Sequence, residues 1–119
     1  MTFYENIFDA EEIAAGIATW ASIESPSFDA AAVNRMMDVA ARTMARLGAA
    51  VERVPGSDGF GDVVRARFEW GQGPGILVLG HLDTVHLVGT LAETLEVTRD
   101  GDRLYGPGVL DMKGGMYLA

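Results

Sequence analysis

The hydrophobic period of this chain changes near residue 49, and that change constrains its fold more than any single residue does. Before it, Val33, Met37, Ala40, Met44 and Leu47 recur in alternating steps of four and three. Such steps place apolar side chains on one stripe of an α-helix. Gly48 follows at the position where helices end in the left-handed conformation. After it, DVVRARFEW at 62–70 alternates, with Val64, Ala66, Phe68 and Trp70 on one side and Arg65, Arg67 and Glu69 on the other. A period of two describes a strand with one wet face. Both periods in one short chain call for helices layered on a sheet.

The remaining elements fit that frame. Asp9 and Glu12 have the capping-box spacing, and Ile13, Ile17 and Trp20 share a helical face, so a first helix is expected over 10–21. SIESPS at 22–27 breaks it, and a second helix begins near Asp29. AAVERV at 49–54 reads as a short strand. ILVL at 76–79 is an unbroken apolar run, which predicts a strand covered on both faces. Asp100-Gly101 between LEVTR and DRLY signals a hairpin, GPG at 106–108 opens a loop, and DMKGGMYLA reads as a loop entering a helix. The predicted class is α/β with a mixed sheet. No repeat, low-complexity tract or linker divides the chain. MYLA at 116–119 is apolar and helix-compatible without a cap or polar tail, so the expectation is the N-terminal part of a longer domain.

Composition narrows the partners. Nine basic against 17 acidic residues give a formal charge of -8, which argues against nucleic acid and anionic membranes, since both need a basic footprint. There is no cysteine, so thiolate metal sites and disulfides are excluded. No apolar run approaches the ~20 residues of a membrane helix. The first 12 residues show neither a basic n-region nor an apolar h-region, and the expected location is the cytoplasm.

Chemistry concentrates in LGHLDTVH at 79–86. His81 and Asp83 are two residues apart where a buried strand is expected to run out, so their side chains project the same way. An imidazole held there can bind a metal through one nitrogen while Asp83 takes the proton on the other. Ligands of open α/β proteins also collect at such strand ends. Asp111, in the glycine-rich GPGVLDMKGG, is a second candidate ligand. Plainer readings exist for each: an H-x-D pair arises by chance, Asp111 suits a turn or cap, Lys113 a solvated charge, and His86 an exposed loop. Glu11, Glu12, Asp58 and Asp62 suit caps, a helix face and turns. Met36, Met37 and Met44 follow the helical period and read as core. Gly71, Gly73 and Gly75 precede a strand, so they form no dinucleotide loop; Lys113-Gly114 lacks the rest of a P-loop; Ser25 and Ser27 lie in no nucleophile elbow.

Taken together, LGHLDTVHLVGTL followed by DGDRLYGPGVLDMKGG resembles the two N-terminal signatures of the M20 family of zinc peptidases and deacylases. The glutamate carboxypeptidase (carboxypeptidase G2-like) branch is nearest in texture, and WASIESPS before a helix suits it too. The resemblance implies a three-layer, mixed-sheet zinc-peptidase catalytic domain, of which residues 1–119 are the N-terminal portion. It implies that His81 binds one zinc ion, that Asp111 bridges two, and that Asp83 orients His81 in the catalytic centre. The peptide bond after Asp111 is often cis in such proteins. Two zinc ions ~3.5–4 Å apart would activate a water for hydrolysis of a peptide or N-acyl amide bond. The implied substrate is a small peptide or N-acyl amino acid, and the implied assembly is a homodimer. The family's Glu-Glu pair, its further acidic ligand, its second histidine ligand and its dimerisation domain come later than residue 119. The 119 residues alone are therefore expected to be inactive and to bind zinc poorly. Competing readings are a non-catalytic pseudo-peptidase or dimerisation module, a plain α/β binding domain with chance motifs, and a dimeric aspartic protease built on Asp83-Thr84. Val85 stands where that last class needs glycine.

Overall fold

A computed structural model describes residues 7–119. The sequence stretch read for an export signal therefore lies partly outside the described residues. The order is α1 (Ala10–Ala21), α2 (Ala30–Arg46), β1 (Ala50–Val54), β2 (Val63–Arg67), α3 (Thr90–Glu93), β3 (Thr98–Asp100), β4 (Arg103–Tyr105) and α4 (Gly114–Leu118).

Both long helices start as their sequences predict. The Asp9 carboxylate accepts from the Glu11 and Glu12 amides, and the Asp29 carboxylate from Ala32. These bonds satisfy donors that the first helical turn leaves free, an effect of about 1 kcal/mol each. The buried stripe of α2 is Ala32, Val33, Met36 and Ala40, rotated by one residue from the predicted one. Met37 and Met44 are half-buried and Leu47 is exposed. The helix packs on two partners at once, the β1–β2 hairpin and α1's end of the core, so its covered face is set between them. Arg53 on β1 stitches the hairpin to α2, reaching Asp38 at 2.8 Å, Asp62 at 2.9 Å and the Asn34 carbonyl at 3.2 Å.

The helix-and-strand composition is as expected, but the strands form two separate antiparallel pairs, β1–β2 and β3–β4. The predicted central strand at 76–79 is not paired with any described strand. Ile76, Leu77, Val78 and Leu79 are 94%, 79%, 62% and 80% exposed. A strand exists only through its neighbours' hydrogen bonds, and no described segment supplies them. The β3–β4 turn also sits one residue later than predicted. Asp100 pairs with Arg103, leaving Gly101-Asp102 as the loop, with Gly101 at φ 59°.

The core is small. Trp20, Met36, Ala40 and Leu82 form its centre, with Ile23, Met37, Val39, Met116 and Tyr117 packed around them. The Trp20 and Tyr117 rings meet edge to face at 5.1 Å. The radius of gyration is 15.6 Å, against about 13.5 Å from the size scaling of closed domains. Apolar surface accordingly remains open, along 76–79 and at side chains such as Phe28, Trp70, Val85 and Leu110.

Candidate metal corner

The chain reaches the site through Leu82 and Thr84, which are buried at 6% and 4% exposure. Alternation then turns His81 and Asp83 outward on the same side. The stretch is held by the α1–α2 connector. Thr84 and Pro26 form a parallel bridge, with the Thr84 amide donating to the Ser25 carbonyl at 2.8 Å and the Ser27 amide to the Thr84 carbonyl at 3.0 Å. The buried Ser25 hydroxyl donates to the Leu82 carbonyl at 2.7 Å. The Ser27 hydroxyl donates to Asp83 Oδ2.

Asp111 arrives from the other side, in the turn 109–113 that leads into α4. Helical geometry breaks there at Asp111 (φ -126°) and Met112 (φ -135°), and the peptide bond between them is cis, as the resemblance implied. Gly108 lets this turn close against the strand end. Its φ is 72°, and a Cβ there would lie 2.6 Å from Thr84 Cγ2, so a side chain is barred by both conformation and space.

These supports bring all three sequence-predicted residues together. His81 Nε2 lies 2.9 Å from Asp111 Oδ1. On the other edge of the ring, Nδ1 lies 3.0 Å from the Asp83 carbonyl and 3.4 Å from Asp83 Oδ1. Burial alone would lower the histidine's pKa, but the Asp83 carbonyl, the Asp111 carboxylate and both negative charges outweigh it and raise it. A proton placed between two carboxylates marks a spot that favours positive charge. Nε2 and Asp111 Oδ1 thus converge as two ligands of one cation would, with Asp83 behind the imidazole. The imidazole and carboxylate donors suit zinc chemistry. They supply two of the three or four protein ligands zinc takes, and no group of three or more metal-ligating side chains converges among the described residues.

Lys113 is the main surprise. Expected in solvent, it is fully buried, and its ammonium donates to the Trp20 carbonyl at 3.2 Å and to the Ile23 carbonyl. These carbonyls close the C-terminal end of α1, where bond-accepting oxygens lack helical partners. Burial, partly opposed by the charge of Glu24, pulls the lysine's pKa down to about 8. Glu24 is a second connector residue without a sequence signal. Its carboxylate accepts from the Leu91 amide at 3.0 Å and the Gly89 amide at 2.9 Å, which hold its pKa below the ordinary value. His86 is half-buried rather than exposed. Glu11, on the first turn of α1, pairs with Arg99 on β3, Nη2 to Oε1 at 2.8 Å, far from this corner in role.

Ser25, Ser27, Glu24 and Lys113 act across sequence separations of 56 to 93 residues, which no local pattern reveals. The one readable hint was a hydroxyl-rich turn beside a helix start. Next to Ser27 and Thr84 an open apolar cavity of about 410 Å³ is walled by Pro26, Phe28, Val85, Leu87 and Val88, within the range of small-molecule sites. The Thr84 hydroxyl is buried without a hydrogen-bond partner among the described residues.

No family model matches the chain. Carboxypeptidase G2 of Pseudomonas sp. (strain RS-16) is 40% identical to it over 55 residues, covering 46% of this chain and 13% of that protein. The likeness is to part of a carboxypeptidase. The matched stretch spans only that small share of the relative's length.

Proposed function

We propose that this chain is the N-terminal portion of the catalytic domain of an M20-type zinc peptidase or deacylase, with the three-layer, mixed-sheet architecture of that family. The full protein would hydrolyse a peptide or N-acyl amide bond in a small peptide or N-acyl amino acid, as a cytoplasmic homodimer. The observation that carries this reading is the convergence of His81 Nε2 and Asp111 Oδ1 at 2.9 Å with Asp83 behind the ring. The partial identity to a carboxypeptidase supports it.

His81 and Asp111 would hold the metal, Asp111 between two ions. Bound zinc would supply a water of lowered pKa and polarise the scissile carbonyl. The chain's own contribution is orientation. The Asp83 carbonyl and carboxylate favour the proton on Nδ1, which leaves Nε2 free as a lone-pair donor. The segment 82–84, bridged to the α1–α2 connector, and the turn at 109–113 hold the two donors 2.9 Å apart. A glutamate base and the further ligands would come from the rest of the protein. Glu11 and Glu12, the chain's own adjacent pair, are committed to the first turn of α1.

The test is zinc-dependent release of the C-terminal amino acid from dipeptides and N-acyl amino acids by the complete protein. Activity should fall at least 100-fold in His81→Ala and in Asp111→Asn, with the bound zinc lost alongside. The isolated 119 residues should show none. Undiminished hydrolysis by His81→Ala would refute the assignment.

A further inference from the structure

We infer that Ser27 is a positioning residue for His81, acting through Asp83; the inference rests on the metal reading above. Asp83 has two carboxylate oxygens with different tasks. Oδ1 faces His81 Nδ1 at 3.4 Å, whereas Oδ2 accepts from the Ser27 hydroxyl. Among the described residues nothing else bonds either oxygen. An aspartate terminus rotates easily, because its last torsion is broad and two-fold. With Oδ2 tied down, Oδ1 stays turned to the ring and adds its charge to the Asp83 carbonyl, the nearer acceptor at 3.0 Å, in favouring Nδ1–H against the pull of Asp111 on Nε2.

Ser27 is itself well anchored. Its amide donates to the Thr84 carbonyl at 3.0 Å, its neighbour Pro26 is buried in the bridge to Thr84, and α2 begins two residues later with the Asp29 cap. Its hydroxyl also lies 3.2 Å from the Thr84 carbonyl, so it has a second acceptor and can lean toward either. Ser25 provides an internal contrast. It sits on the same connector two residues earlier, but its hydroxyl bonds the Leu82 backbone carbonyl and touches no carboxylate. Loss of Ser25 loosens the strand end; loss of Ser27 frees the Asp83 carboxylate.

Nitrogen-15 NMR of the imidazoles in the metal-free 119-residue chain, at a pH where His81 is neutral, separates these roles. Ser27→Ala should shift the His81 tautomer ratio away from Nδ1–H by about threefold to fivefold, and Ser27→Thr should restore it. Ser25→Ala should lower the unfolding midpoint yet leave that ratio unchanged. In a second arm, calorimetric titration of the metal-stripped complete protein with zinc alone should give about fivefold weaker binding for Ser27→Ala, and no further loss when Asp83→Asn is already present. An unchanged ratio in Ser27→Ala, or an equal change in Ser25→Ala, overturns the inference. Undiminished zinc content of the complete protein in His81→Ala overturns the metal reading instead, while the tautomer ratio still decides the role of Ser27.

Discussion

Residues 76–79 and residues 81–84 are neighbours in sequence and opposites in structure. The first four are apolar, exposed and unpaired. The second four include two buried side chains, Leu82 and Thr84, and are tied to the α1–α2 connector by backbone and hydroxyl bonds. Hydrophobicity does not explain the difference, since ILVL is the more apolar stretch. What separates them is whether a bonding partner lies within the chain. The connector Ser22–Ser27 reaches 82–84 on one side and, through Lys113, the Asp111 turn on the other. Nothing described reaches 76–79. The chain therefore builds its chemical corner from its own parts and leaves the apolar run leading to it open.

The contrast can be broken first at Lys113. Lys113→Ala removes a buried alkyl chain and leaves the Ile23 carbonyl without a partner among the described residues, while the Trp20 carbonyl keeps the Ile23 amide at 3.2 Å, so it should cost about 3 kcal/mol in urea unfolding. Lys113→Met refills the space and should recover more than half of that. A loss below about 1 kcal/mol in the alanine variant would mean that the corner is not held from this side.

The same lysine gives a pH dependence. Its folded pKa, about 8, lies below the ordinary 10.5, so between those values the unfolded chain binds more protons than the folded one. Stability should then rise with pH across about 8 to 10.5, by at most about 3.5 kcal/mol, the gap at ~1.4 kcal/mol per pH unit. Below pH 8 the cost of the buried charge is fully present. Urea midpoints at pH 7.5 and 10 measure this, and the rise should vanish in Lys113→Met.

Gly108→Ala forces a positive φ on alanine and crowds Thr84, for an expected loss of about 2 kcal/mol. At the other extreme, Leu77→Asp on the open stretch should change stability of the isolated chain by less than about 0.5 kcal/mol. It should reduce self-association seen by sedimentation, since it removes an apolar edge. A large destabilisation there would show that 76–79 is covered after all.

The parts legible in the sequence are those encoded locally. Caps at Asp9 and Asp29 and the helical stripe depend on residues within a turn or two, and each appears within a residue or so of its expected place; the alternation of β2 holds only over Val63–Arg67, three residues short of the predicted end, with Trp70 80% exposed. The trio His81, Asp83 and Asp111 was legible as candidates, because spacing of two at a strand end and a glycine-rich turn are also local signals. The burial of Lys113 and the bonds of Ser25, Ser27 and Glu24 were not, because each depends on a partner more than 50 residues away. ILVL misled for the same reason in reverse. Its composition describes a covered strand, but the cover is a property of the neighbours.

The most direct check is a zinc titration of the nitrogen-15-labelled chain followed at its two imidazoles. Zinc held between His81 and Asp111 predicts weak, saturable shifts at His81 Nε2, at least fivefold weaker in Asp111→Ala, with His86 unmoved. Zinc that shifts His86 and leaves His81 unchanged, or that shifts His81 equally well without Asp111, would contradict it.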